Sequence, residues 1–290
     1  MKKILLYIFL VLLLLNTCCS YRYLQKPIGT FADANVLIGK NTVYVFEQLQ
    51  EEEILVRIAE SVKKDSIEPS DLEPRVLTTE HLETRKELID YLVKYTELLH
   101  SLIDEDYNKD ILNNNKRVNE SIEKISSRHN DTFSREEVGI ISAIGAALPE
   151  ALTAARNRRL ILKLMNRHQP LIDKISGMLK EELQLTKKVI NTFFARQFRL
   201  VTAEKWPDKE SKRESYAKKG AKILDRKRKI NVILDDLIAA IGIISPTHKR
   251  LMGYVKNNRG PLNTLSSFVD YAARIEGLYL EYSEEKKGNK

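Results

Sequence analysis

Mostly apolar residues in the second half of the chain recur at alternating intervals of four and three, and this spacing constrains the fold more than any other feature. The longest run comprises Tyr216, Gly220, Ile223, Lys227, Ile230, Leu234, Leu237, Ile241 and Ile244. The same spacing relates Leu88, Leu92, Tyr95, Leu99 and Leu102. A repeat of about 3.5 residues keeps one stripe of an α-helix against a neighbouring helix, as in a coiled coil. The pattern therefore predicts long helices that pack lengthwise.

The composition fits the same fold class. Charged residues make up 30% of the 290 residues, and only 11 glycines and 8 prolines are available to make turns. No stretch alternates apolar and polar residues as a half-buried strand would. We therefore predict an all-α protein, an elongated antiparallel helical bundle of about six to eight helices, several of them long and heptad-like.

Apolar periodicity and proline positions set the predicted helix boundaries. The first helix is predicted from about residue 30 to residue 64. On or near the face opposite its apolar stripe it carries Glu47, Glu51, Glu52 and Glu53. Helix breaks are predicted at His168-Gln169-Pro170 and at Ser245-Pro246, because proline lacks the backbone N–H and restricts the residue before it.

The chain divides into four predicted segments. Residues 1–17 form a signal peptide, residues 18–29 the processed N-terminus and a tether without fixed structure, residues 30–285 one helical-bundle domain, and residues 286–290 a frayed charged tail. Such a domain buries roughly three quarters of its unfolded surface. Both cysteines of the chain precede residue 20. The domain therefore has no disulfide, and its core alone must stabilise it.

The N-terminus has the layout of a secretory signal. Lys2 and Lys3 precede an uninterrupted apolar run from Ile4 to Leu15. This run is too short to span a bilayer, which takes about 20 residues. A basic start, a short apolar stretch and a cleavage point soon afterwards are typical of an export signal that is removed.

The residues that follow resemble the lipobox of bacterial lipoproteins, in which Leu, two small residues and Cys follow one another. Here the motif reads Leu15-Asn16-Thr17-Cys18. The resemblance implies that Cys18 carries lipid, such as palmitate, becomes the mature N-terminus and anchors the protein to a membrane of the cell envelope. No aspartate follows Cys18, so nothing resembles the inner-membrane retention signal of enteric lipoproteins. In a Gram-negative cell the expected location is the outer membrane, facing the periplasm. Two alternatives stay open: Cys19 gives a second register, and an ordinary signal peptide would leave both cysteines removed or unused.

Charge is distributed unevenly along the chain. Residues 31–110 contain 9 Lys and Arg against 19 Asp and Glu, whereas residues 111–290 contain 35 against 21. A candidate interaction surface comprises Lys218, Lys219, Lys222, Arg226, Lys227, Arg228 and Lys229. One interpretation is that acidic early helices lie beside basic later ones and partly neutralise them. The other is a basic patch that faces anionic lipid headgroups or an envelope protein. Nucleic acid is not expected as a partner, because the chain is exported and carries no known binding motif.

Residues that commonly carry catalysis or bind metals form no recognisable constellation. The histidines are His81, His100, His129, His168 and His248. No two of them stand at the i, i+4 spacing of a helical zinc site, and the H-E-x-x-H, G-x-S-x-G and glycine-rich phosphate motifs are absent. Adjacent carboxylates such as Glu136 and Glu137 point about 100° apart on a helix and form no acid–base pair. Neither an enzyme nor a metal site nor a cofactor is predicted.

The sequence best fits a non-enzymatic lipoprotein that serves as an interaction or scaffold module of the envelope, with an unknown protein partner. The apolar segment 138–155 permits a second hypothesis, a membrane-active protein, because long-helix bundles with one apolar hairpin resemble the α-helical pore-forming toxins of the haemolysin E type. A third hypothesis is a carrier that binds a lipid or another apolar ligand between helices. Its pocket is predicted near Ile144, Leu148, Phe193 and Phe194.

Overall fold

The computed structural model describes residues 22–63, 67–103, 111–128, 158–202, 210–257 and 263–288, and over these residues the regular structure is entirely helical. The helices are α1 (Arg22–Val62), α2 (Thr79–Ser101), α3 (Ile111–Arg128), α4 (Arg158–Thr202), α5 (Glu210–Asn257) and α6 (Asn263–Gly288), with a 3-10 turn at Pro69–Leu72. The predicted all-α class is confirmed. Cys18 and the apolar segment 138–155 lie outside the described residues.

The first helix, α1, runs antiparallel to α5. At one end of the bundle the ring of Tyr23 lies 5.9 Å from that of Tyr254, near the end of α5. Farther along α1, Glu52 forms an ion pair with Arg226, near the start of α5. We call the first of these ends the Tyr23 end and the second the Arg226 end.

Not every neighbouring pair of helices is antiparallel. Phe31 of α1 contacts Phe268 of α6, and farther along both helices Tyr44 contacts Tyr279, so α1 and α6 run in the same direction. By contrast, α5 contacts α4 and α6 in antiparallel fashion, and α4 and α5 form the most extensive helix pair. The predicted antiparallel arrangement therefore holds for α5 with its neighbours, and for α1 with α2, whose two ends lie near Gln50 and Gly29 of α1. It does not hold for α1 with α6 or for α1 with α4, since α1 and α4 are both antiparallel to α5.

The predicted heptad stripes form the core. All five apolar residues of the α2 stripe are buried, and so are the six isoleucines and leucines of the α5 stripe from Ile223 to Ile244. Ile233 and Ala240 are buried as well and widen the α5 stripe. The wider stripe arises because α5 contacts α1, α4 and α6 rather than a single partner.

The two predicted breaks at prolines are wrong. Pro170 lies inside α4 and Pro246 inside α5, and both helices continue past them. Each proline removes one backbone hydrogen bond of its helix. The turns on either side are held by burial instead, since Ile172 and Ile244 lie in the core. Tertiary packing outweighs the local signal at both positions.

The predicted tether is also absent from the structure over its described part. Helix α1 begins at Arg22 rather than near residue 30, and Leu24 and Ile28 are fully buried. At the other terminus α6 extends to Gly288, past the predicted start of a frayed tail at residue 286. Both terminal helices are therefore longer than their apolar periodicity indicated.

Two of the four glutamates predicted on the solvent face of α1 are buried. Glu52 and Glu53 each expose only 2% of their surface. The Glu53 carboxylate accepts hydrogen bonds from the backbone N–H groups of Arg75 at 2.8 Å and Val76 at 3.0 Å. A buried carboxylate needs such partners to offset its lost hydration. Here the partners come from the connection between α1 and α2.

Gly39 marks a close approach of α1 to α2. A Cβ atom at this position would lie 2.8 Å from a methyl carbon of Val93 and 3.0 Å from one of Ile89, whereas a Cβ at Gly177 would meet nothing within 4 Å. Valine and isoleucine have stiff side chains that cannot turn away freely. We expect Gly39→Ala to lower the free energy of unfolding by about 1 to 2 kcal/mol despite its higher helix propensity.

The matched control is Gly177→Ala, which we expect to raise the free energy of unfolding by about 0.5 to 1 kcal/mol, because alanine favours the helix and meets no neighbour. Urea denaturation followed by circular dichroism measures both variants. Equal stabilisation by both substitutions would contradict the close contact at Gly39.

Candidate functional site

The seven basic residues predicted as an interaction surface all lie in the first half of α5. Lys218, Lys219, Lys222 and Arg228 are exposed, and the other three are half-buried. Some of these charges have partners on the same helix: Lys218 pairs with Glu214 at 2.6 Å, and Arg228 pairs with Asp225 at 3.1 Å. The surface is therefore basic but partly neutralised.

Arg226 differs from the other six, because it forms a polar ring with two buried side chains, Glu52 and Gln197. Its guanidinium lies 3.0 Å from the Glu52 carboxylate and donates a hydrogen bond to the Gln197 side-chain oxygen, also at 3.0 Å. The Gln197 amide nitrogen donates to the other Glu52 oxygen at 2.5 Å. The ring joins α1, α4 and α5. This contact is one place where an acidic early helix neutralises a basic later one.

A second polar network lies in the core, at the level of the two helix-interior prolines. The Tyr91 hydroxyl lies 2.6 Å from His168 Nδ1, and the Tyr95 hydroxyl lies 2.7 Å from His248 Nε2. Tyr95 also stacks on the His168 ring, with 4.4 Å between the ring centroids. All four side chains are completely buried. We call these four residues the tyrosine–histidine network.

The hydrogen bonds fix the proton position on His248. The Gln169 side-chain nitrogen donates to Asp173 at 2.9 Å and to Ser245 at 3.0 Å, and a carboxylate such as Asp173 only accepts. The Gln169 oxygen therefore faces His248, 2.6 Å from Nδ1. His248 must donate from Nδ1, and its Nε2 accepts the proton of the Tyr95 hydroxyl.

The network reaches the surface through Asp173. Its carboxylate accepts a hydrogen bond from the Ser245 hydroxyl and forms an ion pair with Lys249 at 3.0 Å. Burial acts to raise the pKa of the Asp173 carboxyl, but hydrogen bonds from Ser245, Lys249 and Gln169 and the charge of Lys249 together hold that pKa below its ordinary value. Asp173 is thus ionised at neutral pH and anchors the amide of Gln169.

Burial keeps the tyrosine–histidine network neutral. Burial is the main cause that lowers the pKa of His168 to about 3, with the charges of His248 and Arg167 adding to it. Burial likewise lowers the pKa of His248 to about 3, although the nearby Asp173 carboxylate acts in the opposite direction. The pKa values of both tyrosines are raised well above their ordinary value, again by burial.

This arrangement fits a structural role better than a chemical one. Fully buried side chains offer a substrate no access in this conformation. A shift of α4 or α5 by one residue would leave several buried polar atoms unpaired, at about 1 to 3 kcal/mol each. The network therefore specifies how α2, α4 and α5 align. One atom, His168 Nε2, is buried with no hydrogen-bond partner among the described residues.

Sequence reasoning missed this network, although a signal was available. His168 lies two residues before Pro170, and His248 two residues after Pro246. Polar residues next to helix-interior prolines fit a buried polar layer as well as a helix end. Tyr95 was predicted as a core position, but its hydroxyl partner on α5 could not be identified from the sequence.

The described residues contain no group of three or more His, Cys, Asp or Glu side chains able to hold a metal ion.

The carrier hypothesis predicts a pocket lined by four apolar residues. Two of them, Ile144 and Leu148, lie outside the described residues, and the other two, Phe193 and Phe194, are buried in the core. An internal cavity of about 10 Å³ lies deeper in the bundle, beside Gly39 and Leu179. That space corresponds to about one water molecule.

One described helix is long and apolar enough to cross a membrane by length and composition alone. This is α5 over Arg213–Asn257, whose most apolar 18-residue window has a mean hydropathy of 1.6 and is 44% buried in the bundle. Core helices of soluble proteins pass the same test. Burial against neighbouring helices accounts for the apolar stripe of α5.

The fold and the two polar clusters define an all-α bundle with internal polar networks. No protein-family profile matches the chain, and no curated protein or solved structure is significantly similar to it.

Proposed function

We propose that this protein is a non-enzymatic lipoprotein of the bacterial cell envelope, held on a membrane by lipid on Cys18 and serving as an interaction or scaffold module. The observation that carries the proposal is the N-terminal signal. A basic start, an apolar run too short to span a bilayer and Leu15-Asn16-Thr17-Cys18 follow one another within eighteen residues.

The position of α1 supports attachment close to the bilayer. Three residues separate Cys18 from Arg22, where α1 begins. An extended chain advances about 3.5 Å per residue, so Arg22 lies within about 14 Å of a lipid on Cys18. A bundle attached in this way keeps its Tyr23 end at the membrane.

The length of α5 supports a scaffold role. Tyr254, at the Tyr23 end, and residues 218–229 lie on the same helix. At a rise of about 1.5 Å per residue, roughly 40 to 55 Å separate them. A basic surface at that distance from the bilayer is presented to other envelope proteins. An acidic protein surface is the partner that its charge would favour.

Cys18→Ala tests the proposal. We expect the wild-type protein to partition into the membrane fraction and its intact mass to correspond to a chain that begins at Cys18 and carries acyl groups. In Cys18→Ala the acyl mass disappears, because no sulfur remains for attachment at that position, and the protein is released or stays unprocessed.

Cys19→Ala is the matched control, since it removes the neighbouring thiol and leaves the motif intact. We expect it to keep both the acyl mass and the membrane partition. A soluble wild-type product without lipid would refute the lipoprotein proposal. Loss of lipid in Cys19→Ala alone would place the anchor in the second register.

A further inference from the structure

The described helix turns at the Tyr23 end of the bundle carry an excess of basic residues. Its helix-terminal turns are residues 22–33, 95–103, 111–118, 158–170, 247–257 and 263–270. These turns contain 11 Lys and Arg against 3 Asp and Glu. Two of these cations are neutralised, because Arg117 pairs with Glu97 at 2.9 Å and Lys249 pairs with Asp173 at 3.0 Å. The described turns still carry a net positive charge.

Most of this charge lies where α4 begins and α5 ends. The Arg158 guanidinium donates hydrogen bonds to the backbone carbonyls of Val255 and Lys256, which holds these two helix termini together. Five of the basic side chains that lie exposed or half-exposed here or on the first turns of α1 are Lys26, Lys163, Arg167, Arg250 and Lys256. We call these five residues the Tyr23-end basic surface.

We propose that the Tyr23-end basic surface contacts the anionic headgroups of the bilayer that holds the lipid on Cys18. The inference rests on the proposed function, which places this end of the bundle against a membrane. Anionic phospholipid is the partner that matches both the charge and the position.

Distance separates this surface from the basic residues in the first half of α5. Arg167 lies nine residues after Arg158, which corresponds to about 14 Å along α4. Lys222 lies 34 residues before Lys256, or about 51 Å along α5. Headgroup charge is screened within about 10 Å at moderate salt. When this end faces the membrane, the Tyr23-end surface therefore lies within about one to one and a half screening lengths of the headgroups, whereas Lys222 lies about five screening lengths away.

The contact orients the bundle. The lipid on Cys18 attaches the bundle at one point and does not fix its tilt, whereas a basic patch beside it adds a second contact with the anionic headgroups. Each Lys or Arg close to an anionic surface contributes about a fivefold increase in partition. With both contacts in place, the Arg226 end points away from the bilayer.

A vesicle flotation assay tests the inference without the lipid on Cys18. The chain from residue 20 onward contains every described helix and neither cysteine. We expect it to float with vesicles of phosphatidylcholine and phosphatidylglycerol at low salt but not with phosphatidylcholine alone. Lys163→Gln, Arg250→Gln and Lys256→Gln together should lower the partition coefficient roughly 100-fold.

The matched control combines Lys218→Gln, Lys219→Gln and Lys222→Gln, which removes the same charge from equally exposed positions on α5. We expect it to lower partition less than about fivefold, because these residues lie far from the contact. Equal losses in the two triple variants, or no flotation of the wild-type chain with either vesicle, would overturn the inference. Because the assay uses a chain without Cys18, its outcome is independent of the Cys18→Ala experiment.

Discussion

Acidification from pH 7.5 to 4.5 is expected to lower the free energy of unfolding by about 5 kcal/mol through His168 and His248 alone. In the unfolded chain each imidazole has a pKa near 6.5 and takes up a proton below that pH. In the folded bundle the pKa of each is about 3, so both stay neutral. The unfolded state thus binds more protons, and stability falls as the pH drops from 6.5 towards 3, by about 1.4 kcal/mol per pH unit for each histidine.

The measurement is urea denaturation at half-unit pH steps for the wild type and for His168→Gln with His248→Gln. The double variant loses hydrogen bonds and is less stable at pH 7.5, so the informative quantity is the slope of stability against pH. We expect that slope to be smaller in the double variant between pH 4.5 and 6. The control is His81→Gln, which should keep the wild-type slope because His81 is exposed. Identical slopes in all three proteins would mean that the histidines are not buried as neutral groups.

The tyrosine–histidine network also marks the limit of what the sequence reveals. Tyr95 belongs to the predicted stripe of α2, and Tyr91, which the prediction did not include, lies one helical turn before it. Their partners, however, lie 77 and 153 residues away along the chain. Only the packing of α2 against α4 and α5 brings these residues together, and no local pattern encodes that contact.

Helix stripes were predictable for the opposite reason. Each heptad residue reports on its own helix, so Leu88 to Leu102 and Ile223 to Ile244 were identified as core without knowledge of the partner. Helix ends were predicted at Pro170 and Pro246 because a proline inside a helix costs about 3 kcal/mol locally. The prediction was wrong because burial of several large side chains around each proline outweighs that cost.

The burial of Glu52 follows the same rule. A run of three glutamates has the composition of a solvent-exposed face, and the sequence gives no sign that Gln197 and Arg226 enclose one of them. The charge asymmetry along the chain was predictable, and so was its partial neutralisation. Which cation pairs with which carboxylate depends on how α1 packs against α5.

Arg226→Met is expected to lower the free energy of unfolding by about 3 kcal/mol, which would separate this residue from the rest of the predicted basic surface. Methionine preserves much of the side-chain volume but leaves Glu52 buried without the cation that it contacts at 3.0 Å. Removal of one partner of a buried ion pair typically costs about 3 to 5 kcal/mol, and the partial exposure of Arg226 favours the lower value. Thermal and urea unfolding measure the loss.

Arg228→Met is the matched control, because Arg228 is exposed two residues farther along α5 and its ion pair with Asp225 lies on the surface of the same helix. We expect that substitution to change stability by less than about 0.5 kcal/mol. Addition of Glu52→Gln to Arg226→Met removes the stranded charge and should recover part of the loss, a coupling that a double-mutant cycle measures. Equal effects of Arg226→Met and Arg228→Met would show that Arg226 is an ordinary surface cation, and it would then belong with Lys218 and its neighbours as a residue available to a partner.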